Sequence, residues 1–177
     1  TRLLVLGGSR SAHKINVLLP TVLAKLADRH AFDIRHQCGE KMHAETEQAY
    51  QLAGIGARVE PFIRDMAEAY AWADVVIGRA GALTVSELCA AGVASILIPL
   101  PTAVDDHQAM NAEFLKSHGG GWWFRQDERL EKNLEDALLD LASHPDRTLQ
   151  MAKAARSAAF PQAAEQMADI IIQEMAS

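Results

Sequence analysis

The fold is decided by residues 74–100, DVVIGRAGALTVSELCAAGVASILIPL. Two apolar runs, at 74–78 and 94–100, flank a segment at 83–91 that has a helical pattern. Short all-apolar runs are typical of strands buried on both faces of a sheet, and a helical crossover between two strands makes them parallel. This stretch therefore predicts a strand–turn–helix–strand unit, the repeating element of α/β folds.

The same alternation extends in both directions along the chain. Apolar runs predict further strands at 3–6, 32–38, 57–62 and 121–124. Amphipathic segments predict helices at 12–28, 41–53, 65–73 and 107–118, and two or three more within 130–176. We therefore expect one α/β domain over residues 1–177, with a Rossmann-like parallel sheet of about six strands and helices on both faces.

Glycine and proline mark the predicted boundaries. Helix ends or loops are expected at Gly39, Gly54, Gly92 and Gly119. Pro20 lacks a backbone N–H, so it is expected to break or kink the first helix.

Composition limits the class of protein. The 177 residues are 49% hydrophobic and 23% charged, as in ordinary soluble domains. A net charge of −6 argues against a nucleic-acid partner. Cys38 and Cys89 lack metal-site spacing, and no run approaches the roughly 18 apolar residues of a spanning helix. A cytoplasmic setting is expected. Because TRLLVLGG begins within a strand, we expect a domain cut from a longer protein.

In parallel sheets, ligands bind beyond the carboxyl ends of the strands. The first such loop, GGSRSA at 7–12, has two glycines before a helix start, which suits either a phosphate or merely a tight turn. It matches neither G-x-G-x-x-G nor a Walker A loop, and Gln37 stands where a ribose-binding acid is expected. Dinucleotide binding is therefore disfavoured, and no cofactor is expected.

The loop at 80–87, AGALTVSE, repeats the arrangement. Thr84 and Glu87 fit a capping box, in which each side chain satisfies a free N–H group at the helix start. Alternatively, Glu87 accepts hydrogen bonds from two vicinal sugar hydroxyls. Two helix starts suited to anions could together hold the diphosphate of a sugar nucleotide.

Two further loops carry candidate ligand contacts. In DDHQ at 105–108, acids at a helix start favour Asp106 as N-cap over a metal site, and no metal is expected. His107 and Gln108 then project where they could bind a sugar ring. Phe62, Ile63 and Met66 either form a slot for a nucleobase or belong to the core.

The remaining polar residues suggest binding without a reacting centre. There is no G-x-S-x-G elbow and no defensible catalytic pair, so no catalytic residue is assigned to this chain. Six histidines are expected to be solvated or packed, without evident partners: His13, His30, His36, His43, His118 and His144.

Three stretches together resemble the MurG family of bacterial glycosyltransferases: GGSRSA at 7–12, FIRDMAEAYAWADVVIGRAGALTVSELCAAG at 62–92, and DDHQAMNA at 105–112. The resemblance runs from about residue 3 to the C-terminal helices. It implies the C-terminal, donor-binding domain of a two-domain GT-B enzyme. Such an enzyme transfers N-acetylglucosamine from UDP-GlcNAc to lipid I, forming lipid II for peptidoglycan synthesis.

The family pattern implies donor contacts at individual positions. Ser9 would contact the diphosphate, Ile63 would read the uracil through its main chain, and Glu87 would accept the ribose hydroxyls. His107 and Gln108 would hold the sugar hydroxyls. Ala82, Leu83 and Thr84 would contact the sugar and diphosphate through backbone N–H groups and the Thr hydroxyl, and Val85 and Ser86 would complete this substrate-binding helix start. Where the family usually has Gln-Gly, this chain has Arg10-Ser11: the loss of the Gly places a side chain close to the phosphate path, and Arg10 adds positive charge.

The resemblance assigns other tasks to an N-terminal domain outside these residues. The lipid I acceptor site, the general base and the membrane contact would lie there, at the cytoplasmic face of the bacterial inner membrane. The chain alone is then expected to bind donor without turnover. Other readings are a stand-alone binding subunit with a separate membrane partner, a non-hydrolysing UDP-GlcNAc epimerase and, last, a nicotinamide-dependent dehydrogenase.

Overall fold

The computed structural model describes residues 1–8, 12–101 and 106–159. Strands and helices alternate along these residues as far as α6, which α7 follows directly. In chain order they are β1 (Arg2–Leu6), α1 (His13–Leu26), β2 (Asp33–Gln37), a 3₁₀ turn (Glu40–Met42), α2 (His43–Ala53), β3 (Arg58–Glu60), α3 (Met66–Trp72), β4 (Val75–Gly78), α4 (Ala82–Ala91), β5 (Ala94–Leu97), α5 (His107–Ser117), β6 (Gly121–Trp123), α6 (Leu130–Ser143) and α7 (Pro145–Ser157).

Within the described residues, six parallel strands form one sheet in the order β3-β2-β1-β4-β5-β6. The central strand β1 pairs with β2 on one side and β4 on the other, so that Leu4 lies opposite both Arg35 and Val76. The predicted α/β class, parallel sheet and number of strands are confirmed.

Alternate residues of the strands feed two hydrophobic cores, one on each face of the sheet. Leu3 and Val5 point into a core that includes α1, α2 and α6. Leu4 points into the other core, with α3, α4, α5 and the end of α7. Because both faces of the sheet are covered, the central strands β1, β4 and β5 carry apolar residues at nearly every position, which is the pattern that predicted them.

The predicted break at Pro20 does not occur, since α1 runs unbroken from His13 to Leu26. Pro20 lies on the buried side of the helix with Leu19 and Leu23. Burial of these residues against the sheet offsets the hydrogen bond that proline removes.

Helix ends follow the glycine prediction. Gly54 and Gly92 end α2 and α4 in the left-handed conformation, which glycine adopts without steric cost. The predicted helical region 130–176 contains α6 and α7, and its part beyond residue 159 lies outside the described residues. No helix in the described part of the chain is long and apolar enough to cross a membrane.

Candidate functional site

A cleft of about 290 Å³ lies at the carboxyl ends of the strands, where the strand order changes direction between β1 and β4. Open parallel sheets bind ligands at this switch point, because the loops after the two strands diverge there. The cleft is lined by Leu6, Gly8, Gln37, Phe62, Ile63, Met66, Tyr70, Arg79, Thr84 and Glu87.

The turn after β1 forms one end of the cleft through Gly8. A side chain at Gly8 would collide with Gln37, since an added Cβ would lie 2.8 Å from the amide nitrogen of Gln37. Ser9, the predicted diphosphate contact, lies outside the described residues together with Arg10 and Ser11.

Behind this turn lies a chain of buried polar side chains. The Asn16 amide donates hydrogen bonds to the carbonyls of Gly7 at 3.2 Å and Cys38 at 3.1 Å. His36 contacts the Asn16 oxygen at 3.0 Å through Nε2 and the Tyr50 hydroxyl at 2.9 Å through Nδ1. Burial lowers the pKa of His36 to about 3, so the imidazole is neutral.

The prediction that six histidines lack partners is therefore wrong. Besides His36, the other five each contact a polar atom, most of them distant in sequence: His13 with Glu45, His30 with Thr1, His43 with the Val59 carbonyl, His118 with the Phe114 carbonyl and His144 with the Asp140 carbonyl. Folding brings the partners of His13, His30 and His43 within reach from 16 to 32 residues away, whereas His118 and His144 contact carbonyls four residues earlier.

The turn after β4 supplies the opposite wall. The predicted capping box is wrong: α4 begins at Ala82 with Gly81 at its N-cap, so Thr84 already lies in the first helical turn. A capping box needs its Thr outside the helix. Instead, Glu87 accepts a hydrogen bond from the Tyr70 hydroxyl at 2.9 Å.

Tyr70 fixes the Glu87 carboxylate at the wall of the cleft. Its side chain is almost fully buried, and that burial, together with the neighbouring carboxylate, raises the pKa of Tyr70 above its ordinary value. The phenol therefore stays protonated at neutral pH and donates to Glu87. Sequence reasoning missed Tyr70, because it reads as an ordinary core aromatic on α3.

Opposite sides of α4 face different surroundings. Thr84 and Glu87, one helical turn apart, line the cleft. Ala82, Val85 and Ser86 face a separate apolar depression beside α5, and the Ser86 hydroxyl donates to the Ala82 carbonyl at 3.0 Å. Leu83 is 73% exposed. None of these four residues lines the cleft, so a contact with a ligand in the cleft would come from the backbone at the helix start.

Arg79 supplies a buried cation beside the cleft. It is only 8% exposed, and its guanidinium donates to the carbonyls of Ile98 at 3.0 Å and Pro99 at 3.2 Å and to the Gln126 amide at 2.7 Å. Burial lowers the pKa of Arg79, which nonetheless remains charged at neutral pH because its ordinary pKa lies far above 7. Arg79 thus holds the segment after β5 beside the cleft through hydrogen bonds and contributes positive potential there.

The loop after β3 closes the far end. The Ile63 side chain is buried, whereas Phe62 beside it is 66% exposed at the cleft wall. Met66 opens α3, whose N-cap Asp65 accepts a hydrogen bond from the Glu68 N–H at 2.8 Å. One apolar side chain therefore anchors this loop while another stays free to cover a flat ligand.

The start of α5 lies outside the cleft lining. Asp106 occupies the predicted N-cap position with a φ of 55°, but it makes no capping hydrogen bond, and its carboxylate instead accepts one from Arg125 at 3.0 Å. Gln108 accepts a hydrogen bond from the Leu100 N–H at 3.0 Å, and His107 is exposed. Among the described residues, no group of three His, Cys, Asp or Glu side chains could hold a metal ion.

Comparison with known proteins finds one family over nearly the whole chain. Residues 2–167 match the model of the glycosyltransferase family 28 C-terminal domain. The chain is 57% identical over 174 residues to a UDP-N-acetylglucosamine–N-acetylmuramyl-(pentapeptide) pyrophosphoryl-undecaprenol N-acetylglucosamine transferase of Xylella fastidiosa (strain M12), covering 98% of this chain and 48% of that relative. It is 54% identical over 176 residues to a transferase of the same name from Xanthomonas euvesicatoria pv. vesicatoria (strain 85-10), covering 99% of this chain and 41% of that relative.

Among solved structures, MurG of Acinetobacter baumannii superposes with a TM-score of 0.89 at 39% identity, covering 97% of this chain and 49% of that one. The chain thus spans about half the length of the curated relatives it matches.

Proposed function

The chain belongs to the glycosyltransferase family 28 C-terminal domain family, and from that premise we propose that it binds the donor UDP-GlcNAc for transfer of N-acetylglucosamine to lipid I. The names of the relatives carry both the UDP-linked donor and an undecaprenol-linked acceptor. The observation that carries the proposal is the cleft at the switch point, with Glu87 held by Tyr70 on one wall and Gly8 on the other.

Glu87 is suited to the ribose. A carboxylate accepts hydrogen bonds only, and its two oxygens match two vicinal hydroxyls. Because the Tyr70 hydroxyl already orients one oxygen, the carboxylate loses little freedom when a ligand binds. The uracil would then lie along Phe62 and Met66, where the Ile63 backbone reads its edge.

The diphosphate would lie between the two turns. The start of α4 offers backbone N–H groups and the positive end of the helix dipole. Arg79 adds a fixed positive charge, and Ser9 would complete the site from the first turn. As the UDP leaving group departs, these groups would stabilise the charge that develops on the diphosphate, so that no metal ion is needed.

The sugar would be held at the start of α5. Gln108 uses its amide oxygen for the Leu100 N–H, which leaves its NH₂ group for a hydroxyl. His107 is exposed on the same turn. Both contacts depend on the loop after β5, in which residues 102–105 lie outside the described residues.

Acceptor chemistry would belong to the other half of a longer protein. There, a lipid I hydroxyl attacks the anomeric carbon with inversion as the bond to UDP breaks and the hydroxyl proton passes to a base. That half would also contact the cytoplasmic face of the inner membrane. Residues 1–177 would then bind donor without catalysing transfer.

Calorimetric titration with UDP-GlcNAc, UDP and NAD tests this function. We expect both uridine ligands to bind and NAD not to bind. Glu87→Ala should weaken UDP binding about tenfold, because a charged hydrogen-bond acceptor for the ribose is lost. Glu128→Ala, at an exposed carboxylate outside the cleft lining, is the matched control and should leave affinity unchanged. Undiminished UDP binding by Glu87→Ala would contradict the ribose contact, and NAD binding would contradict the ligand class.

A further inference from the structure

Three side chains from three different elements form a buried polar chain beneath the cleft. Asn16 on α1 and His36 on β2 are completely buried, and Tyr50 on α2 is 2% exposed. None of them lines the cleft. A buried polar group costs free energy unless it is fully hydrogen-bonded, so a chain of three demands an explanation.

The direction of every hydrogen bond in this chain is determined. Asn16 gives both protons of its NH₂ group to carbonyls, those of Gly7 and Cys38, so its oxygen faces His36. Nε2 of His36 must therefore carry the proton that this oxygen accepts. In a neutral imidazole Nδ1 is then an acceptor, and the Tyr50 hydroxyl donates to it.

The buried polar chain ends on two turns, and the one after β1 forms one end of the cleft through Gly8. Gly7 precedes Gly8 in the turn after β1, and Cys38 precedes Gly39 in the loop after β2. These turns touch, since a Cβ on Gly39 would lie 2.8 Å from the Gly8 carbonyl oxygen. By donating to a carbonyl in each turn, the Asn16 amide holds both in one arrangement.

We propose that Asn16, His36 and Tyr50 are positioning residues for the diphosphate: they align the backbone of Gly7 and Gly8, at the start of the first turn, without touching the ligand. The inference rests on the proposed function, which places the diphosphate against this turn. Its consequence is selective. Removing a hydrogen bond from the buried polar chain alters the contact with phosphate groups. It leaves the contact with the nucleoside, which lies at the other end of the cleft.

The two tyrosines of the sequence provide a matched pair of variants. Tyr50→Phe removes the donor to Nδ1 of His36 and leaves this buried acceptor unpaired, which disfavours the present position of the imidazole and therefore of the Asn16 amide bonded to it. Tyr70→Phe removes the hydroxyl that orients Glu87. Kd values for UDP and for uridine are measured for both variants and wild type by the same NMR titration, at a temperature where denaturation curves show each chain folded.

We expect Tyr50→Phe to raise the Kd of UDP about fivefold, with the Kd of uridine changed less than about twofold. Tyr70→Phe should weaken both ligands by the same factor, because it acts on the ribose. An equal loss for UDP and uridine in Tyr50→Phe, or no change in either, would overturn the positioning role. A wild-type chain that binds neither ligand would instead contradict the proposed function.

Discussion

The turns after β1 and β4 differ in how they are held, although both follow neighbouring strands, contain glycine and lead into a helix. The first is supported by an uncharged chain of hydrogen bonds through Asn16 and His36, sealed from water. The second carries charged groups, Arg79 and Glu87, at the cleft itself. A neutral, hydrogen-bonded chain can be buried completely at little cost, whereas a buried charge needs several hydrogen bonds, which Arg79 donates to two carbonyls and an amide oxygen.

The two turns therefore present different groups to the cleft. In the first, side chains fix the backbone and the backbone faces the cleft. In the second, the side chains of Thr84 and Glu87 face the cleft directly. The same local sequence pattern thus supports two kinds of ligand contact.

The largest expected effect contrasts the two glycines. A Cβ on Gly7 would lie 1.7 Å from the Asn16 oxygen, whereas a Cβ on Gly81 would meet only the Thr84 hydroxyl at 3.6 Å. Gly7→Ala should therefore lower the free energy of unfolding by about 3 kcal/mol, through overpacking and broken hydrogen bonds. Gly81→Ala should cost less than about 1 kcal/mol, measured by urea denaturation.

If Gly7→Ala and Gly81→Ala lowered the free energy of unfolding equally, the two turns would not differ in how tightly they are packed. Gly56→Ala serves as a background control, since an added Cβ there has nothing within 4 Å.

A smaller effect concerns pH. The pKa of His36 is about 3 in the folded chain and about 6.5 when unfolded. Above pH 6.5 the imidazole is neutral in both states, and below it only the unfolded chain binds the proton, so stability falls with falling pH. His36→Gln keeps a donor for Asn16 but does not titrate. Between pH 6 and pH 5, wild type should lose about 1 kcal/mol more than this variant.

Parallel denaturation curves at the two pH values measure that difference. The pKa of His30 is also lowered by burial, but His30 is present in both chains, so its contribution cancels. Identical slopes would mean that His36 protonates as easily in the folded chain as in the unfolded one.

The smallest effect tests the helix start at the second turn. Because Thr84 lies inside α4, Thr84→Ala should change the free energy of unfolding by less than about 0.5 kcal/mol. Asp65→Ala, which removes a real cap from α3, should cost about 1 kcal/mol. A loss of about 1 kcal/mol for Thr84→Ala would mean that Thr84 caps α4 after all, so that side chains of α4 satisfy the N–H groups at its start.

Much of the architecture could be read from the sequence alone. Burial on both faces demands nearly unbroken apolar runs, so the central strands β1, β4 and β5 were predictable from a few adjacent residues. The crossover helices required the strands to be parallel, and the carboxyl-end rule then selected the loops holding Gly8, Ile63 and Glu87. Glu87 and Ile63 line the cleft that the structure reveals.

A polar residue on an apolar helix face, such as Asn16 between Ile15 and Leu19, was the one available signal for the buried chain. Its partners were not predictable, because His36 lies 20 residues away and Tyr50 a further 14. The same holds for Tyr70 with Glu87 and for Arg79 with Gln126, separated by 17 and 47 residues. The spacing of apolar residues along a helix or strand indicates which of its sides is buried, and this pattern is local in the sequence. Hydrogen-bond partners depend on the packing of several elements at once, so only the tertiary structure decided which polar groups hold the site.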